Sequence, residues 1–115
     1  MNLSAETIGG GAVSKITLHG RLDTPGAGQI EIPFTANVVA PGRNAVVDLT
    51  GVTFVSSMGI HLLMTTARAL ALKKAKMVLF GAQPAVMASL EHVGLPDLIR
   101  VVADEAQALA ALEAA

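Results

Sequence analysis

Two short runs of strand formers, residues 45–49 (apolar but for Asp48) and 77–80, each closed by turn residues and separated by a helical pattern, leave few folds open to this chain. Runs of four or five strand formers without polar alternation are what a strand buried on both faces of a parallel sheet requires. Parallel neighbours need a crossover of a dozen or more residues, usually a helix. The stretch between the runs supplies one: Ile60, Leu63, Met64, Ala67 and Ala71 recur at helical spacing as an expected core face, while His61, Thr65 and Arg68 mark another.

The rest of the chain fits the same scheme. Gly9, Gly10 and Gly11 precede residues 12–22, where Ile16, Leu18 and Leu22 alternate with polar or small residues, so a hairpin followed by a half-buried strand is expected. Gly20, Asp23, Pro25, Gly26 and Gly28 predict a turn region. Residues 29–40 predict an irregular or kinked helix: Ile30, Phe34 and Val38 share a helical face, but Ile30, Ile32 and Phe34 also alternate, and Pro33 would interrupt a helix. Residues 51–55 read as loop, followed by the turn Ser56-Ser57-Met58-Gly59 and a helix to about Lys73. Pro84 suits the first turn of a further helix and Gly94 its left-handed end. Residues 99–102 make a last strand, and Asp104 caps an alanine-rich helix ending near Glu113. The expected fold is α/β, one domain over residues 1–115, with a mixed, mostly parallel central β-sheet, an N-terminal hairpin and about four helices.

Composition removes several functional classes. With 52% apolar and 15% charged residues, the chain has ample apolar surface to bury and lacks the signature of disorder. Its net charge is −1, its basic residues are scattered apart from Lys73, Lys74 and Lys76 at a helix end, and it has three Phe but no Tyr or Trp, so neither a counterion-releasing field nor a base-stacking platform for nucleic acid is expected. Absence of cysteine removes disulfides, thiolate metal sites and thiol nucleophiles, and is compatible with a reducing cytoplasm, the expected location. The opening residues carry Glu6 and no basic residue ahead of an apolar core, unlike a secretory leader. The most apolar stretch, residues 62–80, is broken by Arg68 and the lysines, so no membrane insertion is expected.

Catalytic and cofactor constellations are missing. His19, His61 and His92 fall on different elements without metal-ligand spacing, and no Gly-rich phosphate loop is present, so no metal and no cofactor are expected. Asp48, Ser57 and His61 contain the residue types of a triad, but the G-x-S-x-G elbow is absent, and the chain is not expected to be an enzyme. What remains is a strand ending at Asp48-Leu49, a short connection, and Ser56 and Ser57 at a helix start, where either hydroxyl could cap the helix.

That segment resembles the signature of the sulfate-transporter and anti-sigma-factor-antagonist (STAS) family, in which a strand ending in Asp-Leu leads to Asp-Ser-Ser/Thr-Gly at a helix start. Gly20-Arg21-Leu22-Asp23, Phe80-Gly81 and His92-Val93-Gly94-Leu95 resemble further family motifs, in the same order. Aligned on Gly59, the family's phosphorylated serine falls on Ser57, with Ser56 as a second candidate acceptor. The acidic residue that usually precedes the serine is Ser56 here, and the small hydroxyl residue that usually follows is Met58. The resemblance implies an anti-sigma factor antagonist that sequesters an anti-sigma factor. The resemblance further implies that this partner is a serine kinase of the histidine-kinase-like ATPase fold and that a phosphatase is a candidate second partner, resetting the switch. The implied partner-binding residues are Asp23, Ser56, Ser57, Met58, His61 and Leu62. A non-phosphorylated STAS scaffold within a signalling complex or lipid transporter is the alternative, and a homodimer stays open.

Overall fold

The computed structural model describes residues 1–113; residues 114–115, the end of the expected domain, lie outside them. Five strands, β1 (Asn2–Ile8), β2 (Val13–Leu22), β3 (Asn44–Val55), β4 (Met77–Phe80) and β5 (Val101–Val102), form one sheet in sequence order. β1 pairs antiparallel to β2 across the glycine turn, and every other pair is parallel. Four helices, α1 (Thr24–Val38), α2 (Ser57–Ala71), α3 (Pro84–His92) and α4 (Glu105–Glu113), complete the α/β architecture.

Strand order dictates which face each helix covers. From β2 to β5 every crossover steps to the next strand in the same direction, and right-handed connections then place α1, α2 and α3 on one face. The period-two pattern sorts β4 accordingly: Met77 and Leu79 join the large core with Ile30, Phe34, Leu63 and Leu90, whereas Val78 and Phe80 join Val46, Ala108 and Leu112 beneath α4. Lys15 on β2 pairs with Glu105 at the start of α4, and that hydrogen bond holds its ammonium above the ordinary value, against partial burial.

Several elements differ from the sequence expectation. The expected turn around residues 24–28 is already helix, because Asp23 caps it and Pro25 sits in the first turn, where its missing N–H costs nothing. Residues 29–38 do form helix and 39–40 a turn, with Ile30, Phe34 and Val38 buried and Ile32 left 80% exposed. Pro33 inside it deprives the Gln29 carbonyl of a donor, but Gln29 lies on the exposed side, where water can replace it. The expected loop 51–55 is the second half of β3, paired with β2 as far as Leu22↔Val55 through two register shifts. β5 keeps only two ladder residues, since Ile99 turns into the core.

Candidate functional site

Because β2 and β3 are parallel neighbours, both end at the same edge of the sheet, and each runs directly into a helix. The two starts share a local pattern, Asp23-Thr24-Pro25-Gly26 and Ser56-Ser57-Met58-Gly59. In the first, the Gly26 N–H donates to Asp23 Oδ1 at 2.8 Å. In the second, the Gly59 N–H donates to Ser56 Oγ at 3.3 Å. Glycine is required in both for the same reason. A Cβ at Gly26 would strike the Arg21 carbonyl, and one at Gly59 would strike the Leu22 carbonyl and stand 2.7 Å from Leu22 Cγ. The Ser56 N–H donates to that Leu22 carbonyl at 2.9 Å, locking the two starts side by side.

The two serines therefore have different tasks. Ser56, with extended backbone (φ −101°, ψ 174°), is the N-cap of α2. Ser57 is the first helical residue, is exposed, and its side chain makes no hydrogen bond among the described residues. First-turn amides have no acceptor within the helix, and the positive end of the helix dipole lies there, so an anion attached at this position would be favourably placed.

Met58, 49% exposed, and exposed His61 flank Ser57 along the helix. Leu62, expected on the contact surface, is corrected by the structure: it is 6% exposed and belongs to the main core. α1 packs alongside α2, and this second neighbour buries a face of α2 that a single core stripe would have left open. Ala71, expected in the core, is exposed at the far end. What remains open between the helices is a groove of about 470 Å³, with Met58, His61 and Thr65 on one wall, Gly28 and Glu31 on the other, and Leu62 in its lining.

Asp23 stands beside Ser56 as the cap of the neighbouring helix. Its carboxyl is held below the ordinary 3.8 by the Gly26 N–H, with help from Arg21 and against partial burial. Arg21 Nε lies 3.3 Å from Asp23 Oδ2, and the guanidinium stacks 4.4 Å above the Phe54 ring. Arg21 and Phe54 were not singled out from sequence as site residues. They meet because they are register partners on β2 and β3, a pairing visible only once the strands are aligned. The α1 wall was missed for another reason: Asp23-x-x-Gly26 repeats the spacing of Ser56-x-x-Gly59 and signals a second helix start. Among the described residues no three His, Cys, Asp or Glu side chains gather as metal ligands would, and no helix is long and apolar enough to cross a membrane.

A sequence-ordered sheet with an antiparallel N-terminal hairpin, three helices on one face and a final helix on the other defines a compact class of α/β domain. Within it, the chain belongs to the STAS domain family, whose model matches residues 3–108. A search of curated proteins by sequence finds no match. Among solved structures, an anti-sigma factor antagonist from Mycobacterium paratuberculosis is 24% identical with a TM-score of 0.86, over 98% of this chain and 94% of that one. An anti-sigma-factor antagonist (STAS) domain protein from Planctomyces limnophilus is 21% identical with a TM-score of 0.86, over 97% and 98%. The Bacillus cell fate determinant SpoIIAA in its phosphorylated form is 20% identical with a TM-score of 0.68, over 94% and 96%.

Proposed function

We propose that this chain is an anti-sigma factor antagonist, a non-enzymatic cytoplasmic binding switch. It sequesters an anti-sigma factor that is also a serine kinase of the histidine-kinase-like ATPase fold, and phosphorylation of Ser57 releases that partner. The observation that carries the reading is the division of labour between the two serines. Ser56 finishes the helix, so the Ser57 hydroxyl is exposed and uncommitted at the helix start, next to Met58 at the mouth of the α1–α2 groove that Met58 and His61 line. The fold it shares with antagonists, one of them solved in a phosphorylated form, supports the same reading.

The mechanism needs no rearrangement of the domain. A phosphate on Ser57 adds about −1.5 to −2 charges at a helix N-terminus, which tolerates an anion. Its cost falls on the complex, where the charge must be desolvated against a packed partner; about 3 kcal/mol of lost complementarity weakens binding more than about 100-fold. Asp23 and Arg21 form a fixed charged border beside this centre, Phe54 supporting the guanidinium. A phosphatase then restores the binding form.

Incubation with ATP and a candidate kinase partner, read by intact mass, tests the assignment. One added phosphate is expected, absent in Ser57→Ala and retained in Ser56→Ala. Loss of the phosphate in Ser56→Ala alone would move the acceptor to Ser56. Partner binding with no mass change, indifferent to Ser57→Asp, would replace the switch with the scaffold reading.

A further inference from the structure

The opposite end of α2 carries a second concave surface, formed by what the short β5 leaves uncovered. β5 pairs only with Leu79 and Phe80, so the first half of β4 has no strand beyond it, and the chain approaching β5 spans the gap. Two contiguous openings of about 320 and 200 Å³ result, both lined by Ala67, Ala71, Leu98 and Ile99. Small side chains on α2 make the slot deep enough to accept an inserted side chain. Leu98 stands 65% exposed on its rim, and Leu72, 85% exposed, lies just beyond the end of α2.

The charge around this slot is one-sided. Among the described residues Arg68 and Arg100 line it and no acidic side chain does; Lys76 also lines it but already has a partner. Arg68 and Arg100 are exposed and form no ion pair among the described residues. A chain with net charge −1 has thus set two exposed arginines at one apolar recess. Met64, Ala67, Arg68 and Ala71 fall at helical spacing along it, a stripe about 10 Å long, or roughly two turns.

We propose that this slot docks an acidic amphipathic helix of a partner protein. Leucine-type side chains at i and i+4 would enter between Ala67, Ala71 and Ile99, and flanking carboxylates would meet Arg68 and Arg100. The floor of the slot, formed by Ala67, Ala71 and Ile99, is recessed and suits an inserted side chain, while contact of exposed Leu98 and Leu72 with a membrane is the outcome that the vesicle arm of the test reads. Ser57 precedes Met64, the first slot residue on α2, by seven residues, about 10 Å, and the slot shares no lining residue with the α1–α2 groove, so it is a surface distinct from the one around Ser57. The chain would then join two partners, only one of them controlled by the serine.

The test uses the whole isotope-labelled chain and a capped, alanine-rich helical peptide with leucine at i, i+4 and i+7 and glutamate only at the positions flanking the leucines. Saturable amide shifts are expected at residues 64–78 and 98–101, leaving those at 56–59 unmoved. The Arg68→Gln/Arg100→Gln variant should bind about tenfold more weakly with a melting temperature within about 4 °C of the parent, both positions being exposed. Leu98→Ala should weaken binding without altering its salt dependence. No saturation by about 1 mM peptide, equal binding of a lysine-for-glutamate peptide, or full binding by the double variant would overturn the proposal. So would flotation with anionic phosphatidylglycerol vesicles in the absence of peptide binding, which would make the patch a lipid contact.

Discussion

Gly59 and Gly28 both sit inside helices, yet replacing each with alanine should move stability in opposite directions. Alanine in place of a helical glycine ordinarily stabilises by about 0.5–1 kcal/mol, because it restricts the unfolded chain. At Gly28 nothing lies within 4 Å of the added Cβ, so the full gain is expected. At Gly59 the Cβ would stand 2.7 Å from Leu22 Cγ and still closer to the Leu22 carbonyl oxygen. Carbon atoms prefer separations of about 3.5–4.0 Å. The Leu22 side chain is wholly buried and its carbonyl is held by the Ser56 N–H at 2.9 Å, so neither can retreat without moving the end of β2. Overpacking of this kind costs about 1–3 kcal/mol. Subtracting the helical gain leaves about 0–2.5 kcal/mol, and with two contacts below 3.0 Å Gly59→Ala falls in the upper part, a loss of about 1–2.5 kcal/mol and a fall in melting temperature of about 4 °C per kcal/mol for a domain of this size. Gly28→Ala should melt higher than the parent. Parallel calorimetric scans at one pH decide it. A Gly59→Ala protein as stable as the parent would refute the close approach of α2 to β2 on which the site's geometry depends.

Three further outcomes follow from the same site. Ser56→Ala should cost about 1 kcal/mol through loss of the cap, whereas Ser57→Ala should stay within about 0.5 kcal/mol of the parent, both read by urea denaturation. Leu62→Ala should cost about 2–5 kcal/mol as a buried residue, while Met58→Ala should leave the melting temperature alone and weaken partner affinity in a titration. Asp23 titrates below its ordinary 3.8 in the folded chain, so the stability it contributes is complete above that value and is lost as pH falls through the lower folded value. Asp23→Asn, which keeps a capping oxygen, should flatten that acid limb in pH-dependent melting, and an unchanged limb would remove Asp23 as its source.

Local signals carried much of the fold. The run Met77–Phe80 is the strand its composition predicts, Pro84 opens α3, Gly94 takes the left-handed conformation (φ 74°), and Asp104 Oδ1 accepts from the Gln107 N–H at 2.8 Å at the start of α4. What was not legible depended on partners distant in sequence. β3 extends to Val55 because β2 lies beside it for its whole length, and β5 shrinks because Ile99 is drawn into the core. In α2, periodicity alone could not distinguish one buried stripe from a helix wedged between a sheet and a second helix, and Leu62 fell on the face that α1 covers. At the site, both serines were visible in the sequence, but which one caps the helix is settled by the backbone of Ser56 and its bond to Gly59.

The most direct test of Ser57 as a charge-sensitive docking centre is the dissociation constant of a serine-kinase anti-sigma factor for the unmodified chain and for the same chain phosphorylated at Ser57. Binding weaker by more than about 100-fold, with the melting temperature of the isolated domain unchanged, is the expected result. Equal affinity for the two forms would contradict it.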